Sequence, residues 1–354
     1  MRILVLWTSI LALAGAASQR VELPGSPFKI VVSSDGATIY ASMIGNGLAV
    51  LKRSSDGSVK LSKTVKTDSP ITGLALTHDG KMLIASDGKG VLLIDPGKGS
   101  VLHAIEEDEA TGSVYVNVTA DDKTVFVSNE RAHSITVIDL PTRKIISRIQ
   151  TGNAPIALTF SPDERLLYTT SQGAMPDWDW PAVCDAEQAS NSTKHPHGAV
   201  LVIDVAMARK NPSHAVTARV EAGCNPVRLA LSPDGLRAYV TTRKDNAVLI
   251  FETAKFEKIA TIPVGTAPVP VAVIQGGAKV LVGNSNRFSA GEAKNPESVS
   301  IIDARTNKAV GTLPAGAFPR DIVLSPDKRV IYIANFGSKA IDVWDSATIP
   351  SATP

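Results

Sequence analysis

One strand pattern recurs along this chain at a nearly fixed spacing, and it leaves few folds open. The plainest copy is PVRLALSPDGLRAYVTTRKDNAVLIFETAKFEKIATIPVGTAP, from Pro226 to Pro268. VRLAL runs into a Ser232-Pro233-Asp234-Gly235 turn, and RAYVTT, AVLIFE and KIATIP follow, each bounded by polar or turn residues. Runs this short, rich in β-branched and aromatic residues, read as strands. The turn after the first strand recurs with its middle residue at positions 35, 79, 121, 163, 234, 276 and 327. The steps are therefore 44, 42, 42, 71, 42 and 51. Seven copies of four strands at a period near 42 predict an all-β chain, a single seven-bladed β-propeller.

The last copy ends at Trp344-Asp345 without a fourth strand, and a spare strand stands at the other end, RVELPG from Arg20 to Gly25. We expect that strand to complete the last blade and so remove an open sheet edge. The first residues, MRILVLWTSILALAGAASQR, have a short basic start, a brief apolar run and small residues at Ala14–Ser18. They read as a secretory signal peptide over 1–18, ahead of a propeller over 19–346 and a tail over 347–354. Secretion, or a periplasmic location in a bacterium, is the expectation. No later stretch is long and apolar enough to span a membrane. A net charge of +2 with no basic run gives no footprint for nucleic acid. A monomer is expected.

VIYIAN, SVSIIDARTNKAVGTL and the recurring G-x-x-P-x-x-(I/L/V)-x-(L/F)-S-P-D-(G/E/K) resemble YVTN-type repeats of the lactonase-like seven-bladed propellers. The resemblance runs over about residues 20–346. It implies the fold strongly and an activity only weakly, because propellers host many unrelated functions. Fungal muconate-lactonising propellers, which this chain resembles in its repeats, use His, Arg and Glu at the channel mouth, but their positions have no residue-by-residue match here.

The two long steps place extra residues between the second and third strands, at 172–198 and 284–298. Both insertions are expected on one face, and elaborated loops on a rigid scaffold carry function. The chain's two cysteines, Cys184 and Cys224, fall on that face and suit a disulfide in an exported protein. The first insertion holds Trp178 and Trp180, expected to lie over the disc or an apolar ligand. It also holds His195 and His197, whose His-x-His spacing beside carboxylates could ligate a divalent metal; no other cofactor is predicted. Asn191-Ser192-Thr193 is the sequon open to glycosylation.

Cations cluster in the loops of the same face: Lys29, Arg131, Arg228, Arg243, Arg287 and Arg320. Guanidinium forks suit a small anionic ligand, and ordinary rim charge is the plainer alternative. If the site is catalytic, His133 would carry the proton, with Glu130 or Asp321 as partner and Arg228 or Arg320 holding an oxyanion. No nucleophile elbow or Ser-His-Asp set is present. The aspartates of the turns (Asp35, Asp79, Asp121, Asp163, Asp234, Asp327) read as structural, since Asp caps its own backbone in tight turns. Three readings stay open: a secreted binder of a small or extended ligand, a lactonase-like enzyme, and an extracellular adhesion surface.

Overall fold

A computed structural model describes residues 19–107, 111–178, 180, 182–184, 195–286 and 297–349. Among the described residues seven antiparallel blade sheets follow one another, six of them in chain order from an inner strand outward and the last completed by Gln19–Glu22, and a separate two-stranded ladder joins Ala182–Cys184 to His195–Pro196. The middle strands are buried on both faces, as in Thr124–Asn129 and Val330–Asn335. The outer strands alternate, as in Lys144–Gln150, because only one face meets a neighbour. The core accordingly lies between blades: Leu281 and Ile301 of blade six meet Ile331 and Trp344 of blade seven.

Ring closure follows the expectation. Gln19–Glu22 pairs antiparallel with Ala340–Asp345 as the outer strand of the last blade. Arg20 binds Asp342 with both ends of its fork, Nε to Oδ1 at 2.6 Å and Nη2 to Oδ2 at 2.9 Å. The turn aspartates behave alike. Asp35 Oδ1 accepts the Ala37 N–H and the Ser33 hydroxyl, and the other five repeat the pair of bonds two residues either side. These bonds stabilise the carboxylate, so all six titrate below the usual range, Asp79 and Asp327 at about 2. A carboxyl depressed on folding contributes stability above its unfolded value near 4, lost as pH falls through the folded value. We therefore expect stability in chemical denaturation to be flat above about pH 5 and to fall between about pH 4 and 2.

The sixth turn, Gln275-Gly276-Gly277, departs from the pattern because its side chain serves another end. Gln275 Nε2 donates to the carbonyls of Ser346 and Ile349, each at 3.0 Å, and fastens the turn after the last strand.

One placement from the sequence needs correcting. The excess of blade four does not lie wholly between strands two and three. Its loop from strand three to strand four spans residues 205–215 against 253–257 in blade five, and it contains the helix Val205–Lys210. Asp204, at the end of the third strand, caps that helix by accepting the Met207 N–H at 2.8 Å.

A hydroxyl relay joins successive blades near the axis. Ser128 of the second strand accepts the Tyr115 N–H of its own blade and donates to the Ile156 carbonyl of the next. Ser42, Ser86, Thr170 and Thr241 do the same for blades one, two, four and five. Blade six has Gly283 there and needs no acceptor, since the opposing residue is Pro270, which has no N–H. Blade seven has Ala334, and the Asp321 carboxylate bridges to blade one by accepting the Ile30 N–H at 2.9 Å. Replacing Thr170 with valine keeps the shape but orphans the Ala157 N–H and the Val227 carbonyl. The expected loss is about 1–3 kcal/mol in urea unfolding.

Candidate functional site

The site originates in a bulge near the start of the inner strand. In blades one, three, five and seven the pairing register slips at Pro27/Lys29, Ser113/Tyr115, Pro226/Arg228 and Pro319/Asp321. The residue skipped in each case is Phe28, Val114, Val227 or Arg320. A bulge re-aims the side chain it releases, and proline favours one by withdrawing a ladder donor. These residues, with Thr72 and Ile156, face a cavity of about 850 Å³ on the insertion-bearing side.

The next residue along forms a second ring. Lys29, Tyr115, Ala157, Arg228, Pro270 and Asp321 line a separate cavity of about 520 Å³ on the other side. Between the two lies a stacked cluster. The Phe28 and Tyr115 rings stand 5.5 Å apart. Arg228 lies over Tyr115 at 3.8 Å and Arg320 over Phe28 at 4.6 Å. Arg228 also donates to the Tyr115 hydroxyl and, at 3.3 Å, to the Arg320 carbonyl. Burial pushes the Tyr115 phenol up, which keeps it neutral at ordinary pH.

The predicted residues divide between these places. Arg320, Arg243, Glu130 and His195 line the upper cavity. Arg243 donates to Gln172 at 3.2 Å. Arg228, Lys29 and Asp321 belong to the lower ring, where the Lys29 ammonium meets Asp321 at 2.8 Å. His133 is not among the cavity residues; its Nδ1 faces the Ala154 N–H at 3.2 Å and it holds a left-handed turn. The structure thus does not bring His133, Glu130 and Asp321 to one point. Arg131 is an exposed rim residue against Gly112.

Trp178 and Trp180 pack edge to face at 5.3 Å, and Arg219 of blade four's outer strand lies 5.0 Å from the Trp178 ring. Neither tryptophan is among the described residues that line the upper cavity. Cys184 and Cys224 form a disulfide with Cα atoms 5.7 Å apart. His197 is held by Glu221. Arg287 and Asn191 lie outside the described residues.

Sequence reasoning, drawn to charge, passed over most of the cavity wall. Ile44, Phe318 and Phe336 supply apolar surface, and Gln172, Asn225 and Ser285 supply polar groups. Phe318 and Asn225 each precede a blade-opening proline at positive φ, the nearest thing to a signal.

Fold and mouth define a seven-bladed propeller with an apolar-floored cavity on its elaborated face. A family model described as a lactonase seven-bladed β-propeller matches residues 198–347. The seven-bladed β-propeller protein Rv1057 of Mycobacterium tuberculosis is 24% identical, covering 87% of this chain and 92% of its own. The uncharacterized protein YncE of Salmonella typhimurium is 24% identical over 62% of this chain and 55% of its own length. A chain of Kuenenia stuttgartiensis hydrazine synthase superposes with a TM-score of 0.74 at 21% identity, covering 96% of this chain and 99% of that one. That last likeness speaks for the fold alone. The chain is a seven-bladed propeller that is similar, over these stretches, to the lactonase propeller model and to Rv1057 and YncE. Among the described residues no helix is long and apolar enough to cross a membrane.

Proposed function

We propose that the protein binds a small molecule with an apolar body and a carboxylate in the upper cavity. The observation that carries this reading is the composition of the wall. Phe28, Ile44, Val114, Ile156, Val227 and Phe336 make an apolar floor, and Arg243 and Arg320 lie in the same wall. A volume of about 850 Å³ falls in the range of small-molecule sites. Both guanidiniums carry protein contacts, and five donors each let them serve a ligand as well. An oxidising compartment, periplasmic or extracellular, accords with the disulfide.

The test is calorimetric titration with a series of aryl and alkyl carboxylates beside their methyl esters. We expect the acids to bind and the esters to bind more weakly. Arg320→Met or Arg243→Met should each lower affinity for the acid by about 10–100-fold. Equal affinity for acid and ester, or indifference to both substitutions, would overturn the anionic part of the reading.

A lactonase activity is the second reading, favoured by the family match and by Glu130 and His195 sharing the wall. Lactone-dependent acid release that vanishes in Glu130→Gln would establish it. An adhesion surface has less behind it. Among the described residues, exposed large apolar side chains such as Leu61, Leu102, Ile146, Ile259 and Val310 are spread over the outer strands of five blades.

A further inference from the structure

We propose that Cys184, Cys224 and His197 form a redox-gated metal site, closed as a disulfide and able, once reduced, to hold a thiophilic cation such as Zn(II). The two sulfurs and a ring nitrogen of His197 lie within 4.8 Å of one another. Ligand atoms around a tetrahedral zinc stand about 3.3–3.8 Å apart, close to the spread of these three groups. Both cysteines are buried, at 1% and 6% exposure, as suits a dry thiolate site.

The surroundings are those of a ligand set. The Glu221 carboxylate engages His197 Nδ1. With that nitrogen protonated, Nε2 keeps its lone pair, the arrangement of a metal-bound histidine steadied by a carboxylate. Asp245 accepts the Cys224 N–H at 2.8 Å. Two thiolates and one imidazole neutralise a divalent cation and leave a fourth position open.

Bonds other than the disulfide hold the three ligands together. Cys184 pairs with His195 in a short antiparallel ladder. Gly198 donates to the Gly223 carbonyl at 2.7 Å, and Ala222 donates to the Gly198 carbonyl at 2.9 Å. Ala174 donates to the His197 carbonyl at 3.0 Å. Cutting the S–S bond therefore leaves the segments beside one another.

The reductant is a dithiol. One of its thiolates attacks a cystine sulfur, breaking the S–S bond, releasing one protein thiolate and leaving a mixed disulfide, and its second sulfur then displaces the other protein thiolate. The dithiol leaves as its own disulfide, and the protein gains two electrons and two protons as two thiols. Zn(II) then displaces both protons.

The test uses the full chain, reduced with a dithiol, freed of it anaerobically and titrated with Zn(II) against a chromophoric chelator. Reduced protein should bind one Zn(II) and oxidised protein none at the same concentration. His197→Ala should weaken binding at least tenfold, and Cys184→Ser with Cys224→Ser should abolish it. Co(II) in place of Zn(II) should show sulfur-to-metal charge-transfer absorption only in reduced wild type. If reduction loosens the fold by circular dichroism, Zn(II) should restore it. Absence of stoichiometric binding, binding indifferent to His197→Ala, or failure of Zn(II) to restore a loosened fold would each overturn the proposal.

Discussion

Deleting Gln19–Glu22 will cost the protein most of its stability. The deletion strips the outer strand from blade seven and reopens the edge of Ala340–Asp345. It removes Val21 from the core and releases Leu23 beside it, both under a tenth exposed, a loss of about 2 kcal/mol for each side chain. It also takes Arg20 from Asp342, whose side chain is only 1% exposed. Stranding a buried carboxylate costs roughly 2–3 kcal/mol more, the lower end being apt because Arg20 is half in solvent. The sum rivals the net stability of a typical domain. Thermal unfolding and limited proteolysis should show an early transition and cleavage in blade seven. The single change Arg20→Met should cost only the ion-pair share. A deletion that melts with the wild type would mean that the ring does not depend on this strand.

Lys279→Ala will have the next largest effect. Lys279 and Asp303 face each other at 2.8 Å with side chains 1% and 5% exposed. Asp303 titrates well below the usual range, first because of the Lys279 hydrogen bond and then the Thr306 N–H. Removing the ammonium leaves a buried charge, at a cost of about 3–5 kcal/mol near neutral pH. Lys279→Met with Asp303→Asn keeps the Thr306 bonds and removes both charges, so it should recover most of the loss. The pH dependence has a definite sign. In the wild type the depressed carboxyl contributes above about pH 4 and is lost on acidification. In Lys279→Ala the same carboxyl is neutralised more easily, so the gap between the two proteins should narrow as pH falls. Urea midpoints at pH 7 and pH 4 decide the matter; a constant gap would contradict it.

The architecture was legible because each blade repeats its own turn chemistry. Ser or Thr two residues before Asp, with a strand on either side, marks the same bend six times, and the closing strand shows as RVELPG without a partner. The blade-four helix was not legible, since VAMARK follows a third strand that ends in Asp like its neighbours, and only the cap on Met207 distinguishes it. The inter-blade relay was printed in TIYAS, MLIAS, TVFVSN, LLYTTS and RAYVTT, but a buried hydroxyl gains meaning only when the carbonyl of the next blade is placed. The face on which the upper cavity opens followed from loop lengths. Its wall did not, because the bulge that turns Phe28 and Arg320 to the mouth depends on pairing register, which shifts Lys29 and Asp321 to the opposite cavity. Charged residues adjacent in sequence therefore serve different ends of the molecule.

The most direct measurement is a crystal structure of the protein grown with the tightest-binding carboxylate of the titration series. The account predicts the ligand in the upper cavity, its carboxylate on Arg243 or Arg320 and its apolar body against Phe28, Ile156 and Phe336. A ligand seated in the lower cavity beside Lys29 and Asp321, or on the outer rim, would contradict it.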